Sequence, residues 1–235
     1  MSQMVPTRKR IVIIICIVVI LGCLLRILLF NSPLPPLTDQ TNYQRAIGAP
    51  VLVMVFYEAL CPDSKYFITK QLLTAYEVAA PIMEVMLVPY GKATTSESGG
   101  KLSFDCQHGP TECQANIYHA CAAEAIEDPL VRLQVVSCMI RDNRLPQEAM
   151  RKCVKQYSEN IDLIQKCYDS DHGLELMKHN GEATHSLRPQ VTFIPTITID
   201  GSQGRQASIL KNLLSEVCKA AGDTDQAKAI CKNAM

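Results

Sequence analysis

The chain has 235 residues, 23 basic and 23 acidic side chains, 48% apolar residues and 11 cysteines, enough for one sizeable domain or at most two. A net charge of zero argues against a nucleic-acid binder, the apolar content against a disordered chain, and only 11 Gly and 13 Pro against a low-complexity one. Residues 1–30 carry four basic side chains, Arg8, Lys9, Arg10 and Arg26, and no acidic ones, which leaves 19 basic against 23 acidic over residues 31–235, a formal charge of −4.

Ile11 to Leu25 is an unbroken run of aliphatic residues with Cys and Gly, Arg26 interrupts it, and Ile27 to Phe30 resume it. As a helix these twenty positions span about 30 Å, the thickness of a hydrocarbon core. Two readings stand, a cleaved signal peptide with Arg8-Lys9-Arg10 as its basic flank and an uncleaved signal anchor. No small-x-small cleavage site follows the run, which favours the anchor. Either way the basic flank stays cytosolic and residues 31–235 go to the exoplasmic side. The expected destination is therefore the secretory pathway or the outside of the cell, as a single-pass type II membrane protein if the segment remains. No Asn-x-Ser/Thr glycosylation site occurs.

Residues 31–50, with Pro33, Pro35, Pro36 and Pro50, read as a linker. Val51 to Tyr57 is a continuous β-branched and aromatic run of strand length, predicted to be a strand buried on both faces. After Cys61-Pro62-Asp63-Ser64, apolar residues at Phe67, Ile68, Leu72, Leu73, Tyr76 and Ala79 have helical spacing, and Pro62 suits a first helical turn. Ile82 to Val88 reads as a second strand, parallel to the first across the helix. Gly91 to Gly100 reads as a polar loop. The stretch from Thr111 to about Leu187 is helical, with breaks at Pro129, Pro146 and Gly173. A short strand at Thr196 to Ile199, a turn at Asp200-Gly201 and a helix from about Ser208 to Ala220 close the pattern. This order of elements resembles an α/β, thioredoxin-like fold with a helical insertion at about 111–187.

Cys61 stands where the buried strand gives way to the helix, a position whose unpaired N–H groups favour a thiolate, although Asp63 adds a like charge nearby. The motif is Cys-x-x-Ser. Ser64 cannot attack a mixed disulfide as a second thiol would; it can only donate a hydrogen bond to the Cys61 thiolate. Release of a trapped substrate then needs another cysteine of the chain or an external thiol such as glutathione or cysteine, and no other cofactor. Cys16 and Cys23 lie in the amino-terminal run, so nine cysteines enter an oxidising lumen, an odd number. Cys61 is the candidate for the free one, against the alternative that it is an ordinary bridge partner. Cys106, Cys113, Cys121, Cys138, Cys153, Cys167, Cys218 and Cys231 then supply four bridges, with connectivity open. Pro195, just before the Thr196 strand, is the expected cis proline facing Cys61, leaving the backbone at Ile194 to pair with an extended substrate. Cys106, His108, Cys113 and Cys121 also make a conceivable zinc set, but the oxidising compartment and the lack of a Cys-x-x-Cys pair favour disulfides, so no metal is expected. His108 reads as a turn residue or a proton donor to the site; His119, His172, His179 and His185 read as solvated.

Residues 106–121, CQHGPTECQANIYHAC, match at every fixed position the signature C-Q-H-G-x-x-E-C-x-x-N-x-x-x-x-C of the gamma-interferon-inducible lysosomal thiol reductase (GILT) family, which the chain resembles over about residues 50–221. Leu87-Val88-Pro89-Tyr90-Gly91 and Ile194-Pro195-Thr196 are further similarities. The resemblance implies a domain over 51–221, a tail over 222–235, and an oxidoreductase, secreted or in a lysosomal or endosomal lumen, that reduces protein disulfides. Its nucleophile falls on Cys61; its resolving cysteine falls on Ser64 and does not carry over. The partners implied are disulfide-containing proteins, the membrane if residues 11–30 stay, and no nucleic acid, with the chain a monomer or a dimer linked through Cys61. Two rivals are a substrate-holding pseudoenzyme of the same fold, which Ser64 favours, and a non-catalytic disulfide-stapled binding protein.

Overall fold

The computed structural model describes residues 46, 48–158 and 160–232. The anchor or signal segment and most of the linker lie outside the described residues. Among the described residues no helix is long and apolar enough to cross a membrane.

Strand β1 (Val51–Tyr57) is central in a three-stranded sheet, with β2 (Met83–Pro89) parallel on one side and β5 (Thr196–Ile199) antiparallel on the other. The register runs from Val51 opposite Met83 to Tyr57 opposite Pro89, and from Val53 opposite Ile199 to Phe56 opposite Thr196. Because both flanks of β1 are paired and both faces covered, its sequence carries no polar alternation. The crossover from β1 to β2 is helical: α1 (Pro62–Tyr66), a π-helical stretch at Phe67–Leu72, and α2 (Leu73–Ala79) follow one another without a gap. Phe67, Ile68 and Leu72 are buried in the same hydrophobic core as Val51, Val53 and Val55. This is the predicted βαβ unit, and the antiparallel β5 completes the expected α/β order.

Five helices form the insertion: α3 (Pro110–Ala125), α4 (Pro129–Met139), α5 (Pro146–Tyr157), α6 (Ile161–Tyr168) and α7 (Asp171–Ser186). Pro110, Pro129 and Pro146 each occupy a first turn, where the missing N–H costs nothing. Gly173 departs from its predicted role as a break. It lies in the first turn of α7, where a Cβ would meet Cys167 O and Ile117 Cγ2 at 2.9 Å and Cys121 Sγ at 3.3 Å, so it is a close-approach residue. Both α3 and α7 pack on β2.

Three further differences have local causes. The predicted polar loop at Gly91–Gly100 holds β3 (Thr94–Ser98), which pairs with β4 (Lys101–Asp105) as a hairpin. Its residues are mostly exposed, so no apolar period marks it; the available signal was the Gly99-Gly100 pair, both at positive φ (57° and 75°). The closing helix is two, α8 (Gln206–Lys211) and α9 (Leu213–Ala221), divided at Asn212, whose Oδ1 accepts the Ser215 N–H at 3.1 Å as an N-cap. Within the tail, α10 (Asp225–Cys231) returns to pack on α2, tied by a Cys218–Cys231 bridge.

Candidate active site

The reactive loop is the four-residue step from β1 to α1, Glu58 to Cys61. Cys61 is the N-cap of α1, in extended conformation, and its carbonyl accepts the Lys65 N–H at 3.0 Å. It is 8% exposed, and its thiol lies 3.9 Å from Ile194 O. The Ile194-Pro195 bond is cis, as expected, and the Ile194 carbonyl at the entrance to β5 faces the sulfur. The other eight described cysteines are paired: Cys106–Cys113, Cys121–Cys167, Cys138–Cys153 and Cys218–Cys231. Cys61 is the free thiol among the described residues. Cys106, Cys113 and Cys121 are thus bridged and unavailable as thiolate ligands, which removes the zinc set.

Ser64 is completely buried, but its hydroxyl is used differently from the expected bond to Cys61: Oγ accepts the Glu58 N–H at 3.3 Å. The side chain thereby closes the strand-to-helix turn upon itself.

The residues 106–121 motif holds this loop from beneath. Glu112 and Asn116 are four apart, so both project from one face of α3. Glu112 Oε2 accepts the Leu60 N–H at 3.3 Å, and Asn116 Oδ1 accepts the Ala59 N–H at 2.9 Å. Further along α3, His119 is fully buried, with Nδ1 2.9 Å from Tyr57 Oη and Nε2 3.0 Å from Asn143 Nδ2. Asn143 also donates to Ala59 O at 3.1 Å. His119 was read as solvated and is the opposite; burial holds its pKa down at about 3. Cys106–Cys113 fixes the end of the hairpin to the first turn of α3, and Gly109, at φ 82°, makes the turn between them. The backbone donors of Glu58, Ala59 and Leu60 are therefore met by side chains of α1 and α3, and the Cys61 N–H by the Glu58 carbonyl at 3.3 Å, as a buried turn requires.

Two buried carboxylates meet at this clamp. Glu58 Oε1 accepts the Lys92 N–H at 2.8 Å, and Glu58 Oε2 lies 3.5 Å from His108 Nδ1. His108 Nδ1 is 2.6 Å from Glu112 Oε2, and the His108 N–H donates to Glu112 Oε1 at 3.1 Å. Burial pushes the Glu58 carboxyl up, the Lys92 bond opposes this, and the Glu112 charge adds to it. Among the described residues Glu58, His108 and Glu112 are the trio whose ligand atoms all lie within 4.8 Å of one another. Two donors on one tetrahedral zinc ion stand about 3.3 Å apart, so the 2.6 Å His108–Glu112 separation makes this trio a hydrogen-bonded cluster. Gly91 is required beside it, since a Cβ there would meet Glu58 Cγ at 2.1 Å. Of the remaining histidines, His172 is exposed and pairs with Glu124 at 2.5 Å, and exposed His185 packs edge-on against Tyr90.

Sequence reasoning brought Cys61, Ser64, Ile194 and Pro195 together; the structure sets the Cys61 thiol 3.9 Å from Ile194 O and turns the Ser64 hydroxyl to the Glu58 N–H. It missed Glu58, Asn116, His119 and Asn143 as supports of the loop. Glu112 and Asn116 were legible as fixed positions of the motif one helical turn apart; Glu58 and Asn143 carry no comparable signal.

A scan against protein families matches residues 52–157 to the family described as gamma interferon inducible lysosomal thiol reductase (GILT). A protein of that name from Carassius auratus is 32% identical over 179 residues, covering 73% of this chain and 70% of its own. The chain belongs to the GILT family. A GILT-like protein of Caenorhabditis elegans is 35% identical over 71% of this chain, and the chain spans about half (51%) of that relative's length. Among solved structures, Chlamydia trachomatis DsbA superposes with a TM-score of 0.52 at 14% identity, over 81% of this chain and all of that one. That likeness shows the thioredoxin-like α/β fold with a helical insertion, which this chain staples with Cys121–Cys167 and Cys138–Cys153. In this GILT family member Glu112 and Asn116 of the motif are the acceptors for the backbone of the reactive loop.

Proposed function

We propose that this GILT family member is a monothiol thiol–disulfide oxidoreductase of the secretory pathway, with Cys61 as its nucleophile and proteins containing disulfides as its substrates. The observation that carries the reading is one free thiol at a strand-to-helix junction, facing the Ile194 carbonyl, in a domain whose other described cysteines are bridged. The Cys61 thiolate attacks a substrate disulfide, forming a Cys61–substrate bond and releasing one substrate thiolate, which takes a proton. Because Ser64 offers no second thiol and its oxygen is engaged by the Glu58 N–H, the covalent adduct is resolved by an external small thiol. Phe193, 39% exposed beside Ile194, gives an extended polypeptide an apolar neighbour at the site. Four bridges in the described residues and the lysosomal names of relatives support delivery to an oxidising or lysosomal lumen.

Insulin reduction with excess small thiol, at neutral and acidic pH, tests this reading. Turnover in the wild type that Cys61→Ser abolishes is expected; a wild type without turnover contradicts it. The engaged Ser64 hydroxyl favours one alternative, a substrate-holding protein, for which a stable Cys61 adduct would persist in excess thiol.

A further inference from the structure

The surface beside the reactive loop is basic, against the −4 charge of residues 31–235. A cavity of about 300 Å³ is walled by Ala59 and Leu60 of the loop, Lys65 of α1 and the turn from Arg141 to Arg144. Its walls flank Cys61 in the chain: Ala59 and Leu60 precede it, and Lys65 follows one helical turn later. The turn is fixed to the loop by two bonds, Asn143 Nδ2 to Ala59 O at 3.1 Å and Lys65 Nζ to Arg141 O at 2.6 Å. Loop and cavity are therefore one rigid unit.

The charges of this cavity are unevenly matched. Arg144 takes the Asp142 carboxylate with both Nε and Nη2, at 2.7 and 2.8 Å. Neither Arg141 nor Lys65 forms an ion pair with a carboxylate among the described residues. Two cations thus face a cavity at the lower end of the size that encloses small ligands. The neighbouring site, as read above, consumes small thiols, because Ser64 leaves the chain without a resolving sulfur.

We propose that this cavity binds the carboxylate of an anionic small thiol of the cysteine or glutathione type, and so supplies the reductant to Cys61. The inference rests on the monothiol reading of the site. The held thiolate attacks Cys61 Sγ, the Cys61–substrate bond breaks, and the substrate leaves as a thiolate that takes a proton. A second small thiol attacks the first one's sulfur, releasing the Cys61 thiolate and a low-molecular-weight disulfide. Two small thiols are oxidised and one protein disulfide is reduced.

The test starts from the Cys61 mixed disulfide formed with a disulfide peptide and follows release by glutathione and by neutral 2-mercaptoethanol at equal thiolate concentration. For Arg141→Gln, release by glutathione should slow about two- to fivefold, within the range for loss of an exposed charge contact, while release by 2-mercaptoethanol stays unchanged. Arg141→Lys should retain most of the glutathione rate, and added salt should narrow the wild-type preference. Equal loss for both thiols, or no loss for either, overturns the cavity assignment and leaves the monothiol reading standing. Failure of any thiol to release the adduct, or of Cys61 to form one, overturns both.

Discussion

His119 makes the acid stability of the domain a direct test of the clamp. It is fully buried between Tyr57 and Asn143, and its pKa is held at about 3 by burial. In the unfolded chain the imidazole takes a proton near its ordinary value of about 6.5. Between those two values the unfolded state binds more protons, so stability must fall as pH falls. At pH 4.5 the cost for one such group is on the order of 2–3 kcal/mol and at pH 7 well below 1 kcal/mol, so acidification removes on the order of 2–3 kcal/mol through this residue. That is a large share of a typical 5–15 kcal/mol domain stability. Glu58 acts in the opposite sense: its raised carboxyl contributes stability that is present in acid and lost as pH rises through its folded value. The two are separated by comparing the wild type with His119→Gln, which keeps a neutral polar side chain at every pH. Urea unfolding with disulfides intact, at pH 7 and pH 4.5, gives a double difference in which Glu58 cancels. The variant should lose on the order of 2–3 kcal/mol less than the wild type on acidification. Parallel losses in the two proteins would refute the burial argument for His119.

Other expected outcomes follow from single contacts. Glu112→Ala strands the Leu60 and His108 N–H groups and should cost about 2–4 kcal/mol in urea unfolding, with faster alkylation of a loosened Cys61; Glu112→Gln, which keeps a carbonyl acceptor, should lose less. Gly173→Ala forces a methyl against the Cys167 carbonyl and the Cys121–Cys167 bridge and should destabilise by about 1–3 kcal/mol in the same assay. Removing Cys121–Cys167, which closes 46 residues, should cost about 4 kcal/mol, against about 2.4 kcal/mol for Cys106–Cys113, which closes 7, on the chain-entropy estimate. Ser64→Cys should let the Cys61 adduct resolve without external thiol, seen as loss of adduct mass on dilution into thiol-free buffer.

Much of the frame was legible because its elements obey local rules. The Val51–Tyr57 run declared a doubly covered strand, Pro62 marked a helix start, the breaks read at Pro129 and Pro146 are first turns of helices, and an odd number of cysteines beyond residue 30 together with the strand-to-helix position singled out Cys61. The hairpin at Thr94–Asp105 was hidden because a largely solvent-exposed ribbon needs no apolar period. Gly173 and His119 were misread for a related reason. A glycine that admits a neighbour and a histidine sealed between Tyr57 and Asn143 owe their roles to residues 6 to 62 positions away, which no local pattern encodes. The same holds for the clamp: Glu112 stood in the sequence as a fixed position of the 106–121 motif, and its use as an acceptor for Leu60, 52 residues earlier, exists only in the folded chain.

The most direct test is to incubate the protein with a peptide disulfide, quench by alkylation and map the adducts by nonreducing mass spectrometry. A single peptide adduct on Cys61, absent in Cys61→Ser and removed by a small thiol, is the expected result. An adduct on any of the eight bridged cysteines instead, or an alkylated Cys61 that never forms an adduct, would contradict a nucleophilic role for this thiol.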